Sequence, residues 1–537
     1  MHTMKHHRSL FFAAISLFCT FFAHAGDVTF DPNTRYSELI INACIGNFSG
    51  NTTETGFDTF NEDGTSKATA THGKSSIDYV PGLVAKAVIE AVDYYQNQSF
   101  AKPWFYSVEW YGNKFYNGIE TGGGSLDNLN AVKLYFLLGE LADSGKFAAA
   151  NANTVSNCAT AKAKALQGLQ AHNTKYSITA TSGGTNPNEK TPISNAAALP
   201  MGSETYDVTG GWWHKSGYHN QLWLDGQYMG PALLAQYVAA GQNITGTTEG
   251  DWDLIVKQFD IVWHYCWNPT DKLLYHAFCA DGGTNETSYS THWEGLSNTT
   301  GKECYHSAEY WGRAEGWYVL ALVDVLEQMD KARLPKSDAR YTRLLGYLQQ
   351  AMDGLLERQD ETTGCWYQLL GHKGDFSVEN YYRKDSTTLI KAGPATNYLE
   401  SSATAIFTDV LLKGKRLGYL TDSKYEAAAK KAYKGLVEQF VKTDVDGNPY
   451  GIVRCCRSAG LGGQSDGSKY RTGSAAYYLL GYDVAPTDTN TQTDNYTEGK
   501  VLGAFILAAV EYERAYLPVA AAGDDPSGCK CLKVSLQ

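Results

Sequence analysis

The sequence predicts an all-α fold built from helical hairpins. Ten segments carry apolar residues at helical spacing, and long loops rich in glycine and aromatic residues separate them. Strand-like runs such as Gly451-Ile-Val-Arg are few and short, and strands do not alternate with helices, so a parallel sheet is not expected. No strict sequence repeat is visible, which favours a closed ring of helix pairs over an open solenoid.

The predicted helices follow a stretch at 26–80 that is dense in Gly, Thr, Asn and Asp. The first helix is expected at 82–95, where Val, Ala and Ile recur at helical spacing. The others are predicted at 126–141, 159–171, 230–240, 252–267, 308–329, 341–358, 400–417, 423–442 and 500–516. No composition shift marks a linker between them, so we expect one domain over 26–519.

The two ends of the chain differ from this domain. Residues 1–25 read as a signal peptide, with His6-His7-Arg8, an apolar run from Leu10 to Phe22, and a cleavage site after Ala25. We therefore expect a secreted or periplasmic protein. Residues 520–537 read as a short flexible tail.

Composition excludes several classes of partner. The 537 residues carry a formal net charge of −12, which disfavours non-specific binding to nucleic acid. No stretch beyond the signal region is long and apolar enough to span a membrane. Aromatic residues make up 13% of the chain, and rings beside polar groups suit sugars, although larger aromatic cores explain most of them.

Cysteine usage and motifs narrow the chemistry further. Ten of the eleven cysteines follow the signal region, so some disulfides are expected, without assigned pairs. Neither Cys455-Cys456 nor Cys529-Lys530-Cys531 has zinc-ligand spacing, and no metal is expected. A P-loop, a dinucleotide fingerprint, Gly-x-Ser-x-Gly and His-Glu-x-x-His are all absent. We expect no cofactor.

The densest cluster of functional residue types lies at 212–227, with three Trp, two His and one acid, Asp225. Pro231 begins or breaks a helix, so Asp225 is expected on the turn or kinked segment that leads into it. Asp225 could cap that helix or face a central cavity as an acid. Its indole and imidazole neighbours favour the second interpretation, because a cap needs neither.

A second acid, Asp127, begins the predicted helix 126–141 after a glycine-rich loop. Capping and catalysis would place a carboxyl in the same position. On the residues alone, capping is favoured for Asp127.

Two further groups could bind an anionic sugar. Trp311, Arg313 and Trp317 fall close together, and arginine pairs with carboxylates through two hydrogen bonds. The alternative for Arg313 is a surface salt bridge to Glu309, four residues earlier. His276 is a possible donor, although a lone histidine among aromatic residues is more often a hydrogen-bonded core residue.

Four segments, in this order, resemble the signature segments of glycoside hydrolase family 105, the unsaturated rhamnogalacturonyl hydrolases, which are related to the unsaturated glucuronyl hydrolases of family 88. They are Trp212-Trp-His-Lys, Asn220-Gln-Leu-Trp-Leu-Asp-Gly-Gln-Tyr-Met, Tyr310-Trp-Gly-Arg-Ala-Glu-Gly-Trp and Tyr398-Leu-Glu-Ser-Ser-Ala-Thr-Ala-Ile-Phe. The likeness runs from about residue 82 to 517.

The resemblance implies an (α/α)6 barrel of six helical hairpins in a toroid. It also implies an oligosaccharide substrate with a 4,5-unsaturated uronic acid at its non-reducing end, left by a lyase and derived from rhamnogalacturonan. The implied reaction hydrates the C4=C5 enol ether: an acid protonates C4, water adds at C5, and the hemiketal opens to release the partner sugar. A non-catalytic carbohydrate-binding protein, or a conventional hydrolase or lyase on the same barrel, stays open as an alternative.

The resemblance also implies roles for residues. Asp225 matches the acid/base and Asp127 the second acid. Arg313 or His276 would hold the sugar carboxylate, and the indoles would stack on sugars. The implied substrate-binding residues are His214, Trp223, His276, Trp311, Arg313 and Trp317. Long loops at 145–209, 279–307 and 455–495 are expected to rim the cavity and to set the leaving-group sugar.

Overall fold

The computed structural model describes most of the predicted domain. The described residues are 26–50, 54–67, 76–96, 98–179, 208–283, 290–296, 305–384, 387–444, 446–463, 470–481, 484, 486 and 497–517. The predicted signal peptide at 1–25 and the predicted tail at 520–537 lie outside them, so these assignments and the boundaries of the 26–519 domain stay predictions.

Helices dominate the described residues, and the prediction of a mostly helical protein is confirmed. They are α1 (Tyr36–Cys44), α2 (Tyr79–Tyr95), α3 (Lys102–Phe115), α4 (Leu126–Asn130), α5 (Leu134–Asp143), α6 (Thr154–Lys175), α7 (Leu224–Met229), α8 (Pro231–Ala239), α9 (Thr248–Cys266), α10 (Gly312–Lys331), α11 (Ala339–Leu356), α12 (Ser401–Arg416), α13 (Ser423–Phe440), α14 (Ala475–Leu480) and α15 (Gly499–Tyr516).

The strands are short and join loops to one another. They are β1 (Gly26–Asp27), β2 (Phe48–Ser49), β3 (Glu54–Thr55), β4 (Gln221–Trp223), β5 (Trp267–Asn268), β6 (Leu273–Leu274), β7 (Ala277–Cys279), β8 (Ser377–Tyr382), β9 (Leu389–Thr396), β10 (Val441–Thr443), β11 (Pro449–Ile452) and β12 (Thr497–Glu498). Their pairing orders are β1-β10-β11, β12-β2-β3, β4-β7, β5-β6 and β8-β9. The predicted strand at Gly451 is confirmed in β11.

Two kinds of helix differ in burial. Helices α2, α10, α12 and α15 are buried on almost every side, whereas α6, α11 and α13 bury one face and expose the other. The buried helices pack in sequence: α2 on α15, α15 on α12, α12 on α10, and α10 on α7 and α8. Helix α7 packs on α4, which packs on α2, so the series of contacts returns to its start.

Several buried helices begin at the same end of the molecule. A Cβ atom added at Gly499 would lie 2.6 Å from Val80, so the first turns of α15 and α2 touch. At Gly312 an added Cβ would lie 3.1 Å from Ala403, so α10 and α12 also start side by side. The N-terminal turns of these helices therefore surround a common region, where helix dipoles and free N–H groups favour polar partners.

The sequence sets several helix starts locally. The Asp78 side chain accepts the N–H of Val80 at the start of α2, and Thr247 accepts the N–H of Gly250 at the start of α9. Pro231 is the first residue of α8, where its missing N–H costs no intrahelical bond.

Some sequence predictions need correction. The helix predicted at 126–141 is interrupted by a 3₁₀ turn at Ala131–Lys133, which packs against α2 while Lys133 donates to the carbonyl of Tyr228 over 2.6 Å. Tertiary contacts of this kind override helical spacing. The stretch 26–80 contains α1, and neither α3 nor the β8–β9 hairpin was expected. Helix α10 begins at Gly312 rather than at 308.

The described residues bear on two expectations for the whole chain, the absence of a membrane span and the state of the cysteines. No helix among them combines the length and apolar character that crossing a bilayer requires. All seven cysteines that the structure describes are buried, and Cys44, Cys158, Cys279 and Cys365 carry free thiols. Cys304, Cys529 and Cys531 lie outside the described residues.

Candidate functional site

Asp225 lies in the first turn of α7, directly after strand β4. Strand β4 pairs antiparallel with β7, so Trp223 stands opposite Ala277. The N–H of Leu224 donates to the carbonyl of His276 over 3.0 Å, which continues the pairing into the helix start. Because helix α7 starts directly after strand β4, Asp225 lies beside His276, the residue before Ala277.

The Asp225 carboxylate has a functional partner rather than a capping role. The N-cap of α7 is Trp223, whose side chain makes no cap hydrogen bond. Asp225 Oδ2 instead lies 3.1 Å from His276 Nε2, and no other hydrogen-bond partner of this carboxylate occurs in the described part of the chain. Helix α7 ends at Met229 and α8 starts at Pro231, so the predicted kinked segment is confirmed.

His276 is fully buried and uses both ring nitrogens. Its Nδ1 lies 2.6 Å from the hydroxyl of Tyr478 in α14. The Trp311 ring is 4.9 Å from His276 and stacks on Tyr478 at 5.8 Å. Burial raises the pKa of Tyr478 well above its usual value, so the phenol stays neutral. His276 is thus both the hydrogen-bonded core residue and the partner of Asp225.

Asp127 also sits in the first turn of a short helix, α4, and it does not cap that helix. Its carboxylate lies 2.5 Å from Lys215 Nζ and 3.2 Å from His214 Nε2. Burial alone would raise the pKa of Asp127, but Lys215 and His214 outweigh it and hold that pKa well below its usual range. The capping interpretation of Asp127 was wrong, because its carboxylate binds the Lys215 ammonium and the His214 imidazole and does not accept a backbone N–H of α4.

Lys215 was not expected in the site. Burial would lower its pKa, but the Asp127 carboxylate raises it instead, so the ammonium stays charged. Its side chain is 35% exposed, which leaves room for contact with a ligand. The sequence signal that could have indicated Lys215 as a site residue is its position directly after His214, in the Trp212-Trp-His-Lys segment.

Trp223 supports two other rings. His214 lies 4.7 Å and Tyr218 4.9 Å from Trp223, both nearly parallel to it, and the two are 6.1 Å apart. Rings on opposite faces of an indole would be at least about 7 Å apart, because carbon atoms in contact are about 3.5 Å apart. His214 and Tyr218 therefore share one face of Trp223. Trp223 is only 4% exposed, so it offers little surface for stacking on a ligand.

Two predicted rim loops contribute to the surroundings of Trp223. Trp293 and Leu296 from one loop, and Leu461 from another, form a small apolar cluster with Trp223, against which Tyr218 packs. The described parts of both loops therefore lie beside the candidate site.

Arg313 lies inside the protein, with its guanidinium already occupied. It donates to Glu400, to Ser402 Oγ over 2.7 Å and to the carbonyl of Cys456, and it is 1% exposed. The alternative salt bridge to Glu309 is not formed, because Glu309 pairs with His372 at 3.1 Å. Arg313 joins α10 to α12 at their first turns.

Trp311 and Trp317 differ in position. Trp311 contacts His276 and places its Nε1 3.2 Å from Gln368 Oε1. Trp317, one turn further into α10, is 1% exposed and stacks on Tyr228 at 5.0 Å. The structure therefore brings Trp311 to Asp225 through His276 and places Trp317 in the packed interior.

The arrangement provides two carboxylate–histidine pairs joined by Trp223. His214 stacks on this ring and His276 meets it edge-on at 5.3 Å. Asp127 is a fixed anion with a cation beside it, whereas no Lys or Arg contacts Asp225 among the described residues. Such a site can orient a polar, charged ligand and transfer a proton at Asp225. No group of three His, Cys, Asp or Glu side chains in the described ranges is arranged to hold a metal ion.

Comparison with known sequences gives a family and two relatives. The family described as Glycosyl Hydrolase Family 88 matches residues 178–516. Protein Atu3128 of Agrobacterium fabrum and a 24.9 kDa protein in the picA locus of Rhizobium radiobacter are each 34% identical over 178 residues. That alignment covers 32% of this chain and 63% of each relative, so the chain spans less than two thirds of their length.

Comparison with solved structures supports the helical architecture. A family 105 glycoside hydrolase of C. acetobutylicum superposes with a TM-score of 0.57 and 25% identity, over 90% of this chain and 100% of that one. A possible family 105 member from Salmonella enterica serovar Paratyphi A gives a TM-score of 0.53 and 15% identity, over 91% and 95% of the two chains. The second likeness concerns the fold alone.

Proposed function

The chain belongs to glycosyl hydrolase family 88, and from this premise we propose that it removes 4,5-unsaturated uronic acid from the non-reducing end of lyase-generated oligosaccharides. The reaction is hydration of the C4=C5 enol ether rather than direct displacement at the anomeric carbon. We further propose an exported enzyme, cleaved after Ala25, acting on fragments derived from rhamnogalacturonan. The likeness to the family 105 enzyme of C. acetobutylicum supports a glycoside hydrolase of this type.

We propose that the framework is a barrel of six helical hairpins. The returning series of contacts among α2, α4, α7, α10, α12 and α15 supports it, as do the outer positions of α3, α6, α9, α11 and α13. In such a barrel the N-terminal turns of the inner helices line one mouth, and that is where Asp127 and Asp225 lie.

The assignment of roles rests on one observation: the two acids have different partners. Asp127 is held as an anion by Lys215 and His214 and has no proton to give at neutral pH. Among the described residues, Asp225 has one hydrogen-bond partner, a histidine that can exchange a proton with it. Asp225 therefore protonates C4, and its carboxylate then takes a proton from the water that adds at C5.

The remaining groups bind and stabilise. Protonation of C4 leaves positive charge at C5 and the ring oxygen, which the Asp127 anion beside the site favours. Lys215, charged and one-third exposed, is better placed than Arg313 to meet the sugar carboxylate, because Arg313 is already bonded to Glu400 and Ser402. Tyr218, half-buried over Trp223, takes the stacking role.

A panel of lyase-generated unsaturated disaccharides tests the proposal. We expect the ultraviolet absorbance of the enol ether to fall with wild-type protein and not with Asp225→Asn. In D2O the early product should carry one deuterium at C4, since the proton comes from a solvent-exchanged acid. A saturated disaccharide of the same sugars should stay intact.

Other results would select the rival functions. Cleavage of the saturated disaccharide would indicate a conventional hydrolase. Rising absorbance with an intact polysaccharide would indicate a lyase. Binding of every unsaturated disaccharide without turnover would indicate a carbohydrate-binding protein.

A further inference from the structure

Tyr478 reaches the candidate site from a distant part of the sequence. It lies in α14, within the long loop at 455–495, and 202 residues separate it from His276. Ser474 caps α14 by accepting the N–H of Tyr477, which fixes the start of the helix. The Tyr478 side chain is fully buried, and its hydroxyl lies 2.6 Å from His276 Nδ1. Asp225, His276 and Tyr478 thus form one chain of hydrogen bonds.

The chemistry of imidazole limits how hydrogens can be placed in this chain. A neutral imidazole has one N–H and one nitrogen lone pair. If the Tyr478 hydroxyl donates to Nδ1 of His276, the ring proton is on Nε2 and is donated to the ionised Asp225. If the Asp225–His276 pair gains one proton, Nδ1 carries a hydrogen and the Tyr478 oxygen accepts it. A phenol serves both arrangements because it donates and accepts.

We propose that Tyr478 is a positioning residue that sets the tautomer of His276 and so allows Asp225 to release and regain its proton. This inference rests on the proposed function, in which Asp225 gives a proton to C4 and recovers one from water. The long loop at 455–495 then has a role in the reaction, because it delivers the hydroxyl that the inner helices do not supply.

The second histidine of the site shows that this partner is not a general requirement of burial. His214 Nδ1 is buried without a hydrogen-bond partner among the described residues, and it faces Gly226, where an added Cβ would lie 3.1 Å away. A buried Nδ1 can therefore exist here without a donor. The Tyr478 hydroxyl is specific to the histidine that contacts Asp225.

The groups around Tyr478 all shift the pKa of its phenol in the same direction. After burial, the charges of Tyr477, Asp225, Glu309 and Cys456 all raise the pKa of the phenol. Glu309 is itself paired with His372. Tyr478 therefore stays protonated and acts by hydrogen bonding, not by ionising.

The adjacent residue offers a matched control. The Tyr477 hydroxyl accepts the N–H of Gly460 over 2.9 Å, and its side chain is also fully buried. Tyr477→Phe and Tyr478→Phe each remove one buried hydroxyl that forms a hydrogen bond, from the same helix. Only Tyr478→Phe removes the partner of His276.

The experiment measures the tautomer and the kinetics separately. Histidines are labelled with ¹⁵N in the full chain, and the His276 signals are identified by their loss in His276→Gln. In wild-type protein we expect the Nε2–H tautomer, with Nδ1 as acceptor, where the Asp225–His276 pair has lost its proton, and a hydrogen on Nδ1 once the pair has gained one. Tyr478→Phe should shift the Nδ1 signal and lower kcat for an unsaturated disaccharide by about 10- to 100-fold with KM unchanged, while Tyr477→Phe changes neither.

Three outcomes would overturn the inference. These are a His276 Nδ1 that carries a hydrogen in wild-type protein at every pH at which the protein is folded, Tyr478→Phe with an unshifted signal and kcat within twofold of wild type, and equal changes in Tyr477→Phe. The tautomer in wild-type protein needs no Tyr478 variant, so a misfolded variant leaves the test intact. If wild-type protein turns over no unsaturated disaccharide, the proposed function fails while the ¹⁵N signals still decide the role of Tyr478.

Discussion

The two acidic centres start from the same local structure and differ in what surrounds them. Asp127 and Asp225 are each the second residue of a short helix. Each carboxylate meets Nε2 of a buried histidine, at 3.2 Å for His214 and 3.1 Å for His276. Position on the helix therefore does not distinguish the acids.

The difference lies in the next partner. Lys215 adds a full positive charge to Asp127, whereas Tyr478 adds a neutral hydroxyl behind the histidine of Asp225. An ammonium fixes a carboxylate as an anion, but a phenol leaves its charge free to change. The comparison teaches that the same structural motif can place a carboxylate beside a fixed cation or beside neutral partners, and the proposed proton donor is the one with neutral partners.

The strongest test of this comparison is loss of the Asp225 carboxyl. Asp225→Asn should lower kcat on an unsaturated disaccharide by about 10²- to 10⁴-fold, because a general acid contributes about that much. The rate of absorbance loss measures it. Asp260→Asn, which removes a buried carboxylate bonded to Arg343 and Tyr347, should keep near-wild-type activity. An Asp225→Asn rate within tenfold of wild type would contradict the assignment.

Loss of the Asp127 carboxyl should lower stability as well as activity. Asp127→Asn leaves the Lys215 ammonium without its anionic partner, and we expect a loss of about 2 kcal/mol in the free energy of unfolding. Asp225→Asn should lose less than about 1 kcal/mol, because it leaves no unpaired cation. Urea unfolding at neutral pH measures both values.

The pH dependence of the Asp127 contribution has a definite sign. Its folded-state pKa lies below the unfolded value of about 4, so the stabilisation is present above about pH 4 and is lost as pH falls towards the folded-state pKa. The stability difference between wild type and Asp127→Asn should therefore shrink in acid. A difference that widens below pH 4 would contradict the ion pair.

Removing the cation should make the two centres more alike. In Lys215→Met the pKa of Asp127 should rise towards its usual value, and the free energy of unfolding should fall by about 1 kcal/mol, a modest loss because the Lys215 ammonium is partly screened by solvent. Lys215→Arg should retain most of this energy. Unfolding of both variants between pH 3 and pH 7 gives the comparison, and identical curves would show that Lys215 does not bind Asp127 in solution.

The smallest expected effect concerns the ring that lies beside His214. Tyr218→Leu removes a stacked ring from Trp223 and should lower the free energy of unfolding by about 0.5–1 kcal/mol. It should also raise KM by about threefold with kcat unchanged, if Tyr218 meets the sugar. Tyr512→Leu, which removes a ring stacked on Tyr433 far from the site, should leave KM unchanged. Equal KM values for Tyr218→Leu and wild type would remove Tyr218 from the binding surface.

Helical spacing located most of the helices, because burial of one face repeats every three to four residues whatever the tertiary fold. Helical spacing failed where contacts between distant segments determine the local structure. The 3₁₀ turn at Ala131–Lys133 depends on α2 and on the carbonyl of Tyr228. Helix α3 does carry buried residues at helical spacing, among them Trp104, Val108 and Tyr111, and was missed although the pattern is present. The β8–β9 hairpin leaves most of its side chains exposed, so it carries no strong apolar pattern.

The candidate site likewise contains residues that could be predicted from the sequence and residues that could not. Asp225, His214 and Trp223 fall within one short cluster, so their meeting could be predicted from composition and spacing. The capping interpretation of Asp127 failed because Lys215 approaches from 88 residues along the chain. Tyr478 had no local signal, since its partner His276 is 202 residues away. Burial of Arg313 against Glu400 could not be predicted without the packing of α10 on α12.

The contact between α15 and α2 has a consequence for how the protein folds during synthesis. Helix α15 is synthesised some 400 residues after α2, yet it covers the apolar surface of α2, and Glu513 bonds Ser37 across 476 residues. Contacts between such distant segments form slowly, and apolar surface left waiting for them promotes aggregation. The nascent chain is therefore vulnerable to aggregation until α15 emerges, and a chaperone that binds the apolar surface of α2 until then should raise the yield of native protein.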